Sequence, residues 1–115
     1  MNKLIPSIAI TASLSLSPAL ALAGSFTMPA TLGTPNFLPN GVVIVYTSGS
    51  RTTVPACGAS QPGRFAVDAT TPVGRVLLTG LITAYATKKN VQIYGTGACT
   101  AWADTESIDT VVFSE

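Results

Sequence analysis

The stretch Thr71-Pro72-Val73-Gly74-Arg75-Val76-Leu77-Leu78-Thr79-Gly80-Leu81-Ile82-Thr83-Ala84-Tyr85-Ala86-Thr87-Lys88-Lys89 is the one clear helical pattern in this 115-residue chain. Thr71 has a capping oxygen, Pro72 suits the first helical position, and Asn90 stands where a C′ residue belongs, so the pattern predicts a helix running to Lys89. At about 100° per residue, Val73, Leu77, Leu78, Leu81, Ile82, Ala84 and Tyr85 cover half the circumference, with Arg75, Thr79, Thr83 and Ala86 on the other side. A helix packed on one sheet needs a stripe of only about 100°. The wider stripe predicts a second contact, and Val73, Leu77, Leu78, Leu81, Ile82 and Tyr85 are the candidate face for a neighbouring copy in a homo-oligomer. A deep groove in the chain's own sheet would take up the same stripe. Lys88 and Lys89 fall in the last turn, where cations favour the helix dipole.

Strand patterns flank this helix. Upstream, Val42-Val43-Ile44-Val45-Tyr46-Thr47 is a β-branched run. Arg51-Thr52-Thr53-Val54 reads as a shorter strand ended by Pro55, and Arg64-Phe65-Ala66-Val67-Asp68 as a third. Downstream, Val91-Gln92-Ile93-Tyr94 alternates, Cys99-Thr100-Ala101-Trp102-Ala103 is a candidate short strand, and Ile108-Asp109-Thr110-Val111-Val112-Phe113 closes the chain. Three strands, a helix and two further strands is the order of a small OB-like Greek-key barrel (β-β-β-α-β-β), spanning 41–115. A two-layer α+β sheet capped by one helix fits the same string. Residues 24–40 carry Pro29, Pro35 and Pro39 without sustained periodicity, and read as an extended N-terminal arm, ordered or loose.

The first 23 residues are a targeting segment rather than part of the fold. Lys3 supplies a positive start, Leu4 to Leu16 an apolar core, and Ala21-Leu22-Ala23 the small residues a signal peptidase accepts, so cleavage is expected after Ala23. Pro6 and Pro18 interrupt the apolar run short of the roughly 18–20 residues that a membrane span requires. The mature protein is therefore expected to be secreted or periplasmic, in the bacterial manner. There its two cysteines, Cys57 and Cys99, meet an oxidising compartment and permit one bridge. Closing that loop is worth about 4 kcal/mol in the chain-entropy model.

The charge balance narrows the functional classes. Only 10% of residues are charged and the net charge is +1, so no basic field exists to hold nucleic acid. Histidine is absent, which removes the commonest general base and metal ligand and with them a nucleophile triad. Asp104, Glu106 and Asp109 gather near a turn but lack the glycine and ligand count of a calcium loop, and nothing beside them promises the raised pKa of a glycosidase acid. Gly95-Thr96-Gly97 has neither the lysine nor the following helix of a phosphate cradle. No catalysis, cofactor or metal is expected.

Binding is the remaining class. Strand alternation from Cys99 sends Thr100, Trp102 and Asp104 outward, and Tyr94 opposes Val91 and Ile93. Trp102 with Thr100, Asp104 and Tyr94 is the candidate contact patch, an apolar ring with a polar rim. Burial of Trp102 in a small core is the competing reading.

The run from Thr71-Pro72-Val73-Gly74-Arg75-Val76-Leu77-Leu78 through Lys88-Lys89-Asn90-Val91-Gln92-Ile93-Tyr94 to Cys99 resembles the helix–strand–cysteine segment of small secreted bacterial proteins similar to the B subunits of pentameric enterotoxins, the subtilase-cytotoxin B subunit among them. The resemblance covers about a third of the mature chain and includes no catalytic motif. It implies an OB-fold barrel, a ring with the helices at its centre, and an outer surface that binds host glycans. Glycan-contact residues do not carry over, because the sequence before Arg64 does not match. The expectation is an exported glycan or host-surface binder; the alternative is a periplasmic structural or inhibitory protein that grips a protein partner.

Overall fold

The computed structural model of the protein describes residues 24–114; the expected export signal, residues 1–23, and Glu115 lie outside the described residues. The β-branched run forms β2 (Val42–Tyr46), paired antiparallel with β3 (Arg64–Asp68), with Val43 opposite Val67 and Val45 opposite Phe65. A two-residue β1 (Asn36–Phe37) pairs antiparallel with the other edge of β2. Both faces of β2 are covered, which is why its sequence is continuously apolar instead of alternating. Val43 and Val45 face the main core with Phe65, Val67, Leu81, Val91 and Ile93. Val42 and Ile44 face a second cluster with Ala66, against which Leu38, Ala101 and Trp102 pack.

The helix α1 spans Pro72–Thr87, and the Thr71 hydroxyl accepts the Gly74 N–H at 2.9 Å as the cap predicts. It stops short of Lys89. Lys88 takes the C-cap in the left-handed region at φ 60°, its N–H reaching the Ala84 and Tyr85 carbonyls, and Asn90 already opens the next strand. A side chain at positive φ is strained where glycine is not. Lys88→Gly is therefore expected to stabilise the fold by about 0.5–1 kcal/mol, read as a higher denaturation midpoint at unchanged slope.

Strands β4 (Asn90–Gly95) and β5 (Ile108–Ser114) form an antiparallel pair, with Val91 opposite Phe113, Ile93 opposite Val111 and an irregularity at Tyr94/Gly95. The architecture is mainly β with one helix and two small antiparallel sheets, and α1 packs on β3 and β5. The ladders do not close into a barrel. The expected strand Arg51–Val54 is reduced to a bridge between Arg51 and Thr27, and the expected strand Cys99–Ala103 to a bridge between Trp102 and Thr105.

The segment before β1 is ordered. On one side it meets β4: Thr27 N–H donates to the Ile93 carbonyl at 2.9 Å, and Ala30 and Val91 exchange bonds of 3.1 and 2.8 Å. On the other it meets the end of β2 and the chain beyond it: Gly33 N–H donates to the Tyr46 carbonyl and Met28 N–H to the Ser50 carbonyl, while the Phe26 carbonyl accepts the Thr52 N–H. These residues stitch the two sheets together. At the opposite edge, the Ala66 N–H of β3 donates to the Glu106 carbonyl at 2.9 Å. Cys57 and Cys99 are bridged, tying the short 3-10 turn Ala56–Gly58 to the loop before β5. Among the described residues, no helix is long and apolar enough to cross a membrane.

Candidate functional site

The loop between β4 and β5 folds back over the outer face of the three-stranded sheet, and this places Trp102. Its indole is half-buried against Val42, Ile44 and Ala66. Ala101 touches the same cluster, so the alternation expected of a strand does not hold in this irregular segment. Ser107 sets the loop's shape: its hydroxyl accepts the Thr100 and Ala101 N–H groups at 3.1 and 3.0 Å and lies 2.9 Å from the Thr100 hydroxyl. Thr100 remains exposed. Arg64 donates to Asp104 Oδ1 at 2.6 Å and to Thr105 Oγ1 at 2.8 Å. Thr100, Trp102 and Asp104 thus share one loop. Tyr94 stands apart from them on β4, its ring 5.6 Å from that of Phe26.

The acidic trio does not assemble. Asp109 is exposed on β5, Asp104 is paired with Arg64, and Glu106 is fully buried. Among the described residues no group of histidine, cysteine or acidic side chains is placed to hold a metal ion.

Glu106 is instead the centre of a buried polar cluster that local sequence patterns do not reveal. Arg51 Nη2 donates to its Oε1, as does the Ser25 hydroxyl at 2.7 Å, while the Gly97 N–H donates to Oε2 at 2.7 Å. Arg51 also donates to the Pro62 carbonyl at 2.7 Å and lies 4.2 Å above the Phe65 ring. Burial pulls the Arg51 guanidinium below the ordinary arginine range, and the Glu106 carboxylate acts against that pull. Gly95 is required beside this pair, since a Cβ there would overlap Glu106 Oε2. The cluster joins the N-terminal segment, the Arg51 region and the loop between β4 and β5, with Oε1 taking the Arg51 and Ser25 side chains and Oε2 the Gly97 and Ser25 N–H groups. With Glu106 fully buried and the Arg51 side chain 6% exposed, the cluster is a structural clamp. The one sequence signal is scarcity, because in a chain with 10% charged residues each charge is worth tracing to a partner.

The residues proposed for an oligomer face divide between core and surface. Leu81 is in the core and Leu77, Leu78 and Tyr85 pack partly buried against it, whereas Val73 and Ile82 are 69% and 41% exposed. Val76, left out of the expected face, is 72% exposed. Gly80 lies on the same helix, and a Cβ there would meet nothing within 4 Å among the described residues.

A cleft of about 300 Å³ separates the start of α1 from the loop, with Asp68, Thr71, Gly74, Thr96, Thr100 and Ser107 on its walls. Asp68 accepts the Thr70 hydroxyl and N–H at 2.6 and 2.9 Å, and these bonds hold its carboxyl below the ordinary carboxylate value. A carboxylate so held favours folding above the ordinary carboxylate pKa and loses that contribution as pH falls through its lowered value. No family model, curated protein or solved structure matches the chain, so the geometry alone carries the functional argument.

Proposed function

We propose that this chain is an exported, non-catalytic binding protein on an OB-like scaffold, and that it recognises a glycan or another host-surface group. The observation that carries this reading is Trp102, clamped on the outer sheet face yet still half open, on one loop with the exposed residue Thr100 and an Asp104 oriented by Arg64. An apolar ring with a polar rim is the surface that saccharides and protein loops both use. The OB-like reading draws support from the order of the pairings: the N-terminal segment touches β4 and the chain after β2, β2 pairs with β3, β3 meets the start of β5, and β5 pairs with β4. The disulfide favours an extracytoplasmic location. The test is Trp102 fluorescence against a soluble glycan panel, with Trp102→Phe as control. A saturable shift for one glycan is expected; an unresponsive indole across the panel ends the case for Trp102 as a glycan contact and leaves that patch to a protein partner.

Self-association is a second reading, favoured by the outer face of α1. Val73, Val76 and Ile82 are exposed there, and Gly80 sits mid-helix with no neighbour among the described residues that needs the space. Light scattering on the unreduced protein checks it. A discrete multimer that Val76→Glu disperses supports assembly through this face, and a monomeric native protein ends it.

A further inference from the structure

We propose that the groove beside Tyr46 is a binding site for a neutral pyranose ring; the proposal rests on the glycan reading above and gives it a location and a selectivity. The groove measures about 320 Å³ and is lined by Thr31, Leu32, Gly33, Tyr46, Thr47 and Ser48. It exists because the N-terminal segment runs beside the end of β2, with Leu32 bridged to Thr47 and the Gly33 N–H bonded to the Tyr46 carbonyl at 2.8 Å. Gly33 leaves the wall open, since a Cβ there would stand 3.2 Å from Tyr46 Cβ.

The lining has the chemistry of a sugar site. Tyr46 is 36% exposed, and Asn36 Nδ2 donates to its hydroxyl at 3.2 Å, which orients the ring and leaves the phenolic proton free to donate. Thr47 Oγ1 accepts the Gly49 N–H at 3.0 Å and likewise keeps its own proton available. Thr31 and Ser48 add two exposed hydroxyls. An aromatic face beside four hydroxyls matches a pyranose, whose axial C–H groups pack on a ring while its equatorial hydroxyls exchange hydrogen bonds. None of the lining residues carries a charge, so a carboxylated or phosphorylated sugar would lose water without gaining a counter-charge. Val42, Ile44 and Tyr46 alternate onto one face of β2, and Trp102 covers Ile44, so both aromatic groups belong to the same outer face.

The test is an NMR titration of ¹⁵N-labelled protein, purified after expression of the full-length chain, with methyl β-galactoside, methyl α-mannoside, N-acetylglucosamine and methyl α-sialoside. A neutral glycoside is expected to shift the Thr31, Gly33, Thr47 and Ser48 amides. Tyr46→Ala should weaken binding about tenfold or more. Thr31→Val, which exchanges an exposed hydroxyl for a methyl of equal size, should weaken it about threefold with unfolding unchanged. Shifts confined to Thr100–Asp104 overturn the groove while glycan binding stands. Tighter binding of the sialoside also overturns the groove proposal. Silence toward every sugar overturns both the groove and the glycan reading.

Discussion

Glu106→Ala is expected to destabilise the protein by about 3–5 kcal/mol, because it strands a buried guanidinium. The wild-type carboxylate answers Arg51, the Ser25 hydroxyl and the Gly97 N–H, and Glu106 has no exposed surface. Removing it leaves the Arg51 charge with neutral partners, the Ser25 hydroxyl at 2.9 Å, the Pro62 carbonyl at 2.7 Å and the Phe65 ring, none of which answers a full charge. Against a typical net stability of about 5–15 kcal/mol, that loss removes at least about a fifth of the whole. Urea denaturation measures it directly. Joint replacement, Arg51→Met with Glu106→Leu, should cost less than Glu106→Ala alone, since no orphan charge remains. A loss below about 1 kcal/mol for Glu106→Ala would place the pair in the class of solvated surface bridges and contradict its burial.

Opening the disulfide is the second large effect. Cys57 and Cys99 lie 42 positions apart in sequence, and a loop of that length contributes about 4 kcal/mol through restriction of the unfolded chain. The double variant Cys57→Ser/Cys99→Ser should lower the thermal midpoint by well over 10 °C, as about 1 kcal/mol moves a domain of this size by 4–8 °C. The same comparison with and without reductant on the native protein supplies the control. The bridge also anchors the loop that carries Thr100, Trp102 and Asp104. Amide exchange in that loop should accelerate more than exchange in β2 or β3. Uniform acceleration would mean that the bridge holds the whole fold and does not hold the loop in particular.

The parts of the fold that local chemistry specifies were legible in the sequence. Val42–Tyr46 and Arg64–Asp68 form strands because β-branched and aromatic residues dominate them, and Thr71-Pro72 starts the helix because cap and proline act within one turn. The pairing of the two cysteines follows from their number. What escaped depends on distant partners. Thr105-Glu106-Ser107 reads as a polar turn, yet Glu106 is buried because Arg51, 55 positions away, meets it. Alternation, a rule for extended strands, sends Trp102 outward, whereas Ser107 bends the backbone and turns both Ala101 and Trp102 onto the sheet. Arg51-Thr52-Thr53-Val54 has strand composition, but only Arg51 bridges a neighbour. The Tyr46 groove was invisible for a similar reason, as half of its wall comes from a proline-punctuated segment without periodicity.

The lacing of residues 25–33 between β4 and the chain after β2 also imposes a chronology. Synthesis delivers this segment first, but Ile93, Val91 and the Glu106 carboxylate, which receive its hydrogen bonds, arrive last. Early and late parts of the polypeptide must meet before either is secure, which places the chain among slow folders with non-local pairing. A nascent chain shorter than Glu106 lacks both the clamp and the second sheet, and so remains pliable until nearly all of it has been made. On the export proposed above, that delay would keep the chain threadable through a membrane until its far end has followed.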